Sequence, residues 1–185
     1  QPPSPHFAAC GSHQFEEMIK ANEANQIGHV DRYLEERLDL DYWWMDAGWY
    51  RNETGWPNVG TWEVDTGRFP GGLRAITDHT HKRGVGSIVW FEPERVTRGT
   101  WIFDEHPEWL LGSGNDWLLD LGNPEALQWL TDHVDALIEN QGIDLYRQDF
   151  NTDPLDRWRA HDAALATGGQ DRQGITEIRY VTGLL

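Results

Sequence analysis

The stretch Gly142-Ile143-Asp144-Leu145-Tyr146-Arg147-Gln148-Asp149-Phe150-Asn151 decides how this chain is read. It follows a well-marked helical pattern and has the character of a buried parallel strand with its polar residues gathered at the C-terminal end. In α/β architectures that end carries the catalytic groups. Two-residue periodicity puts Arg147 and Asp149 on one side of the strand, a guanidinium beside a carboxylate. A neighbouring cation favours the ionised acid, the state needed by a nucleophile or by a carboxylate that binds sugar hydroxyls. A structural ion pair capping the strand is the alternative that this stretch alone leaves open.

Upstream, Asn123 is an N-cap, Pro124 fits the first helical position and Glu125 favours the helix dipole. Leu127, Leu130, Val134, Leu137 and Ile138 line one face, and Gly142 stops the helix. A strand at Asp41–Asp46 leads into a Gly-, Trp- and Asn-rich loop from Ala47 to Gly67. A helix from about Gly71 to Arg83 follows and stops at Gly84. The strand Val85–Phe91 precedes a long loop, from Glu92 to about Gly122, with a short hairpin expected at Gly112-Ser113-Gly114-Asn115. At the start, a strand at His6–Cys10 pairs with a helix from about Gln14 to Leu38, in which Ile27, Val30, Leu34 and Leu38 form an apolar stripe. After Asp149 come a polar loop over Asn151–Asp171, its tip at Ala166-Thr167-Gly168-Gly169-Gln170, and a closing helix from about Gln173.

Strand–helix alternation predicts a parallel sheet built of βαβ units. The long loops follow strands and the returns after helices are tight, which puts the working surface at the C-terminal strand ends, as in a (β/α) barrel. A whole barrel takes about 250 residues. Four units within 185 residues therefore predict an α/β fold, a partial TIM (β/α)8 barrel. On this expectation residues 1–185 are a single unit, the N-terminal half, with the C-terminal half absent. Gln1 at the start, with no signal-peptide pattern after it, suggests a segment cut from a longer polypeptide.

The net charge of −16 at pH 7 argues against nucleic acid or an anionic membrane as partner and is compatible with a neutral sugar. No run of apolar residues has the length needed to cross a bilayer. The single Cys10 excludes an internal disulfide and a multi-cysteine zinc site, and fits the cytoplasm slightly better than secretion. His79 and His81, two apart on a helix, do not share a face, so no metal and no cofactor are expected. The Gly112/Gly114 turn lacks the strand–loop–helix context of a phosphate cradle. No Ser or Cys stands in a nucleophile-elbow pattern, and Cys10 beside His13 reads as an ordinary strand-end pair. Eleven tryptophans are the compositional outlier. Aromatic faces stack on sugar rings, but Trp also fills cores, and about half of them are assigned to packing.

Three successive strands end in acid: Asp46, Glu92 and Asp149. Trp44 and Asp46 share a side, as do Trp90 and Glu92. Glycoside cleavage uses two carboxyl groups across an oxocarbenium-like transition state, and further carboxylates can bind hydroxyls. Glu92 and Trp49 join the candidate sugar contacts on these grounds.

The chain also resembles, across nearly its whole length and in order, the retaining α-galactosidases of glycoside hydrolase family 36. The resemblance is carried by Asp46-Ala47-Gly48-Trp49-Tyr50, Gly60-Thr61-Trp62-Glu63-Val64-Asp65, Arg68-Phe69-Pro70-Gly71-Gly72-Leu73, Trp90-Phe91-Glu92-Pro93-Glu94-Arg95-Val96, His106-Pro107-Glu108-Trp109, Leu119-Asp120-Leu121-Gly122-Asn123-Pro124 and Arg147-Gln148-Asp149-Phe150-Asn151. It implies Asp149 as nucleophile, with Arg147, Asn151, Asp46 and Trp62 as sugar ligands. It places the general acid/base on a later strand, beyond residue 185, so the chain alone is expected to be poorly active or inactive. Departures at Ala47, Thr61 and Gln148, and an arginine missing near Gly114, touch sugar ligands. They leave the reaction class better marked than the sugar. The implied activity is hydrolysis of terminal α-galactosyl residues. The alternatives are an α-N-acetylgalactosaminidase, a galactosyl-transferring relative or a non-catalytic carbohydrate-binding half barrel. The expected partners are an α-galactoside and either the missing barrel half or a second copy.

Overall fold

The computed structural model describes residues 6–11, 16–51, 55, 58–166 and 174–184. The chain divides into two compact units. The first comprises Gln1–Pro57, Trp62–Phe91 and Asp135–Asp149, and the second Asn58–Thr61, Glu92–Val134 and Phe150–Leu185.

The first unit is built on four parallel strands in the order β1 (Ala8–Cys10), β2 (Tyr42–Met45), β3 (Gly86–Phe91) and β7 (Leu145–Gln148). Their register aligns Trp44 with Ile88 and Ile88 with Leu145, then Trp90 with Arg147 and Phe91 with Gln148. Parallel neighbours with these partners direct Trp43, Met45, Ser87, Val89 and Phe91 to one face, and Trp44, Ile88, Trp90, Leu145 and Arg147 to the other.

The first face is covered by helices. The indole N–H of Trp43 donates to Gln26 of α2 (Glu23–Glu35) at 3.0 Å, and the rings of His29 and Tyr33 lie against it. Ser87 Oγ bonds Thr80 Oγ1 of α3 (Arg74–His81) at 2.8 Å, a satisfied buried polar pair.

The expected first helix is broken. A short α1 (Glu17–Lys20) precedes α2, and Asn22 and Asn25 form a reciprocal capping box at 2.9 Å that starts the second helix afresh. Gln14, where the helix was expected to begin, lies outside the described residues. At the other end α2 stops at Glu35, Arg37 takes a left-handed backbone (φ 60°), and Leu38 is exposed instead of closing the stripe.

In the second unit the long loop after β3 holds more than the expected hairpin. β4 (Arg95–Val96), β5 (Leu110–Ser113) and β6 (Asp116–Leu119) form an antiparallel sheet in the order β4-β6-β5, with the hairpin turn at Gly114, φ 62°. A short helix α4 (Trp101–Glu105) and a 3-10 turn at Pro107–Trp109 lie between β4 and β5.

Helix α5 (Pro124–Gln141) starts as the sequence predicts, with Asn123 Oδ1 accepting the Glu125 N–H at 3.0 Å. The stretch expected to be a polar loop contains helix α6 (Leu155–Leu165), which buries Arg157 and Asp162 among its contacts, so hydrophobic periodicity understates it. The expected tip at 167–170 and Gln173 lie outside the described residues. The closing helix α7 spans Ile175–Leu184.

Candidate active site

At the C-terminal end of the parallel sheet, the open face carries a chain of contacts running across three strands. Arg147 Nη1 lies 2.8 Å from Asp149 Oδ2. The guanidinium carbon of Arg147 stands 4.9 Å from the centre of the Trp44 ring, within cation–π range. The Trp90 indole N–H donates to the same Asp149 oxygen at 2.9 Å. The backbone N–H of Asp149 donates to the Phe91 carbonyl at 2.8 Å, so the residue is still tied to β3 one step past the end of β7. The same-side placement of Arg147 and Asp149 expected from the sequence is therefore present, and both side chains keep partial exposure.

Asp46 stands just beyond β2, whose C-terminal end points the same way as those of β3 and β7. Its Oδ1 accepts the Ala47 N–H at 2.8 Å. The cavity that adjoins it, lined by Ala21, Gln26, Met45, Trp49 and Phe69, measures about 10 Å³. That is room for a water at most. These residues therefore do not enclose a sugar-sized space.

Trp49 and Trp62 lie elsewhere than on an open surface: each is 1 % exposed. They belong to an aromatic cluster with Tyr50, Trp90 and Phe91, with ring centroids 5.0–6.2 Å apart. The Trp49 indole donates to the Trp90 carbonyl at 2.8 Å. Trp62 adopts a left-handed backbone, φ 60°, a strained conformation for a bulky residue that its surroundings must hold in place. Trp56 lies outside the described residues.

The loop after β2 is organised by Arg68. Its guanidinium pairs with Asp65 at 2.8 Å and donates to the carbonyls of Ala21 (2.9 Å), Tyr50 (3.0 Å) and Gly48. Burial works against the ionised Asp65. The Arg68 hydrogen bond and charge, with the N–H groups of Gly67 and Arg68, outweigh it and hold the carboxyl below its usual range.

Glu92 and Asn151 belong to the second unit. Glu92 is completely buried, pairs with Arg95, and accepts the Asn151 backbone N–H on Oε1 at 2.8 Å. The Asn151 side chain is exposed. Arg157 holds the following residues, donating to the Asp153 carbonyl at 2.7 Å and to Thr152 Oγ1 at 2.9 Å. A larger cavity in this unit, about 520 Å³, is lined by Leu121, Pro124, Leu127, Ile178 and Thr182, and includes none of the residues expected at the site. In the first unit, His79 and His81 go to separate carboxylates, Asp31 at 2.8 Å and Asp144 at 2.6 Å.

Two participants escaped the sequence reading. Trp44 was placed on the right side without a role, and it carries Arg147. Trp90 was read as the aromatic preceding an acid, and it donates to Asp149. The register that sets Trp90 beside Arg147 is the missing signal, since it depends on strand pairing and not on spacing within one strand.

A family model described as Melibiase matches residues 19–184. The chain is 29 % identical over 172 residues to α-galactosidase 1 of Pediococcus pentosaceus, covering 88 % of this chain and 22 % of that protein. A variant of the family 36 α-galactosidase AgaA from Geobacillus stearothermophilus, solved in complex with 1-deoxygalactonojirimycin, superposes with a TM-score of 0.78 at 19 % identity, over 97 % of this chain and 25 % of that one. Another AgaA variant, solved in complex with raffinose, gives 0.74 at 20 % identity, over 88 % of this chain and 23 % of that one. The chain thus spans about a quarter of the length of these proteins, and its fold is part of their (β/α) barrel. On the match over residues 19–184, the chain belongs to the Melibiase family.

Proposed function

We propose that the chain is the N-terminal half of a catalytic (β/α)8 barrel that hydrolyses terminal α-galactosyl residues with retention, and that Asp149 is its nucleophile. The observation that carries the reading is the setting of the Asp149 carboxylate. It stands one residue past a parallel strand, with the Arg147 guanidinium and the Trp90 N–H both on Oδ2. Both contacts favour the ionised, attacking form.

Asp149 attacks the anomeric carbon, and its carboxylate becomes the ester of a glycosyl-enzyme intermediate. The departing oxygen takes a proton from a second carboxyl group, supplied by a later strand of the complete barrel. Water then releases the sugar. Arg147 and Asp46 bind hydroxyls of the galactosyl ring. Trp49 and Trp62 support the site from behind through the aromatic cluster. The likeness to α-galactosidases, including one solved with raffinose, supports an α-galactoside oligosaccharide as substrate.

The test is turnover of an aryl α-galactoside by the complete barrel. Asp149→Ala is expected to lower kcat by several orders of magnitude, and Asp46→Ala to lower kcat/KM by less, since it loses hydroxyl binding and not the bond-forming atom. Equal losses in the two variants would refute these roles.

A further inference from the structure

We propose that Trp90 is a positioning residue for the Asp149 carboxylate, acting through its indole N–H; this rests on the reading of Asp149 as the nucleophile. A carboxylate is joined to its chain by a torsion with broad, shallow minima, so its orientation has to be imposed from outside. Here a single directional donor imposes it, beside a charge. The Trp90 N–H donates from β3 to Oδ2 at 2.9 Å, while Arg147 Nη1 on β7 lies 2.8 Å from the same oxygen as an ion-pair partner.

The donor is itself held. The Trp90 carbonyl accepts the Trp49 N–H at 2.8 Å, the Trp90 ring stacks on Tyr50 with centroids 6.2 Å apart and planes inclined by 26°, and Trp62 stands 6.0 Å away. A buried, fixed N–H needs no reorganisation to serve the ionised acid, in contrast to water. A ring that merely filled space would be replaced by Phe without consequence for Asp149, and this separates the two roles.

The experiment is a nuclear magnetic resonance titration of the 185-residue chain, with carboxyl-labelled aspartate and nitrogen-labelled tryptophan. Asp149→Asn identifies the Asp149 carboxyl signal. The Trp90 indole resonance is expected to move with the same midpoint as the Asp149 carboxyl. Trp90→Phe is expected to raise that midpoint by about one pH unit, because a hydrogen bond to the ionised form is lost. Trp109→Phe serves as control: its buried indole N–H has no hydrogen-bond partner among the described residues, and the midpoint should stay where it is.

An unchanged Asp149 midpoint in Trp90→Phe overturns the proposal. So does a wild-type Trp90 indole signal that ignores the Asp149 titration, a readout that stands even if the variant fails to fold. The Asp149→Ala turnover assay decides the underlying reading separately. Coupled titration with undiminished turnover in that variant would mean that Trp90 holds a carboxylate that does not react, and the positioning role would fall with it.

Discussion

Oε1 of Glu92 accepts the backbone N–H of Asn151 at 2.8 Å, and Glu92 is completely buried. An acid that reads in sequence as a strand-end sugar ligand is thus spent on the chain that follows Asp149. Its other oxygen pairs with Arg95. Removing one member of a buried, hydrogen-bonded pair is far costlier than the pair is worth. Glu92→Ala is expected to destabilise the chain by about 3 kcal/mol, read as a lower urea midpoint at unchanged slope. Glu92→Gln keeps an acceptor for Asn151 and should cost less; the reverse order would argue against the clamp.

Gly48 is required by its surroundings as well as by its backbone. Its φ is 100°, and a Cβ there would stand 1.8 Å from the Met18 carbonyl oxygen. Gly84 has a comparable φ of 74° but open space around it. Backbone strain alone costs about 1–3 kcal/mol. Gly48→Ala should therefore lower stability by clearly more than Gly84→Ala, the excess being the displacement of α1. Similar losses in a side-by-side melt would show that the close approach does not matter.

Acid should weaken the fold through two carboxylates. Asp162 is buried, and burial alone would raise its pKa. The hydroxyl and N–H of Thr176, at 2.5 and 3.0 Å, and the N–H of Gly174, at 2.7 Å, outweigh that and lower it. Asp65 is lowered as well, the Arg68 pair and the backbone donors overcoming desolvation. A depressed folded pKa contributes stability that is fully present above the unfolded value, about 3.9, and is lost as pH falls through the folded value. Asp120 acts in the opposite sense, because burial raises its pKa and lowering the pH relieves the cost of its charge. Urea midpoints measured from pH 7 to pH 2 should fall below about pH 4, and Asp162→Asn should flatten that fall. A profile unaffected by Asp162→Asn would refute the capping role of this residue for α7.

The open face of the sheet should drive association. Leu145 on the edge strand β7 is 40 % exposed, whereas Val89 is fully buried because its parity turns it to the helices. Sedimentation of the 185-residue chain should show concentration-dependent self-association, reduced by Leu145→Lys. The same preparation should hydrolyse an aryl α-galactoside poorly alone and better when mixed with the remaining barrel half. Efficient turnover by a strictly monomeric chain would contradict the half-barrel reading.

The parallel order of β2, β3 and β7 was legible because each strand is short and followed by an acid, and because Asn123-Pro124 and Gly142 mark the ends of α5; β2 and β3 are apolar, but β7, expected to be buried, is the partly exposed Leu145-Tyr146-Arg147-Gln148, as befits an edge strand. The pairing of Arg147 with Asp149 followed from parity within a single strand. What periodicity could not show was anything set by contacts across strands or by buried polar groups. The Trp90 donor depends on register, the break at Asn22 on a capping box inside a continuous helical pattern, and α6 on a helix that buries Arg157 and Asp162. Tryptophan identity was equally ambiguous: Trp49 and Trp62 pack in the cluster, while Trp44 carries the guanidinium.

The most direct test of Asp149 as nucleophile is to treat the complete barrel with a mechanism-based galactosyl inactivator and map the adduct by peptide mass spectrometry. The expected result is one galactosyl-derived mass on the peptide containing Asp149, absent after Asp149→Ala. An adduct on Asp46, Glu92 or any other carboxylate of an active enzyme would contradict it.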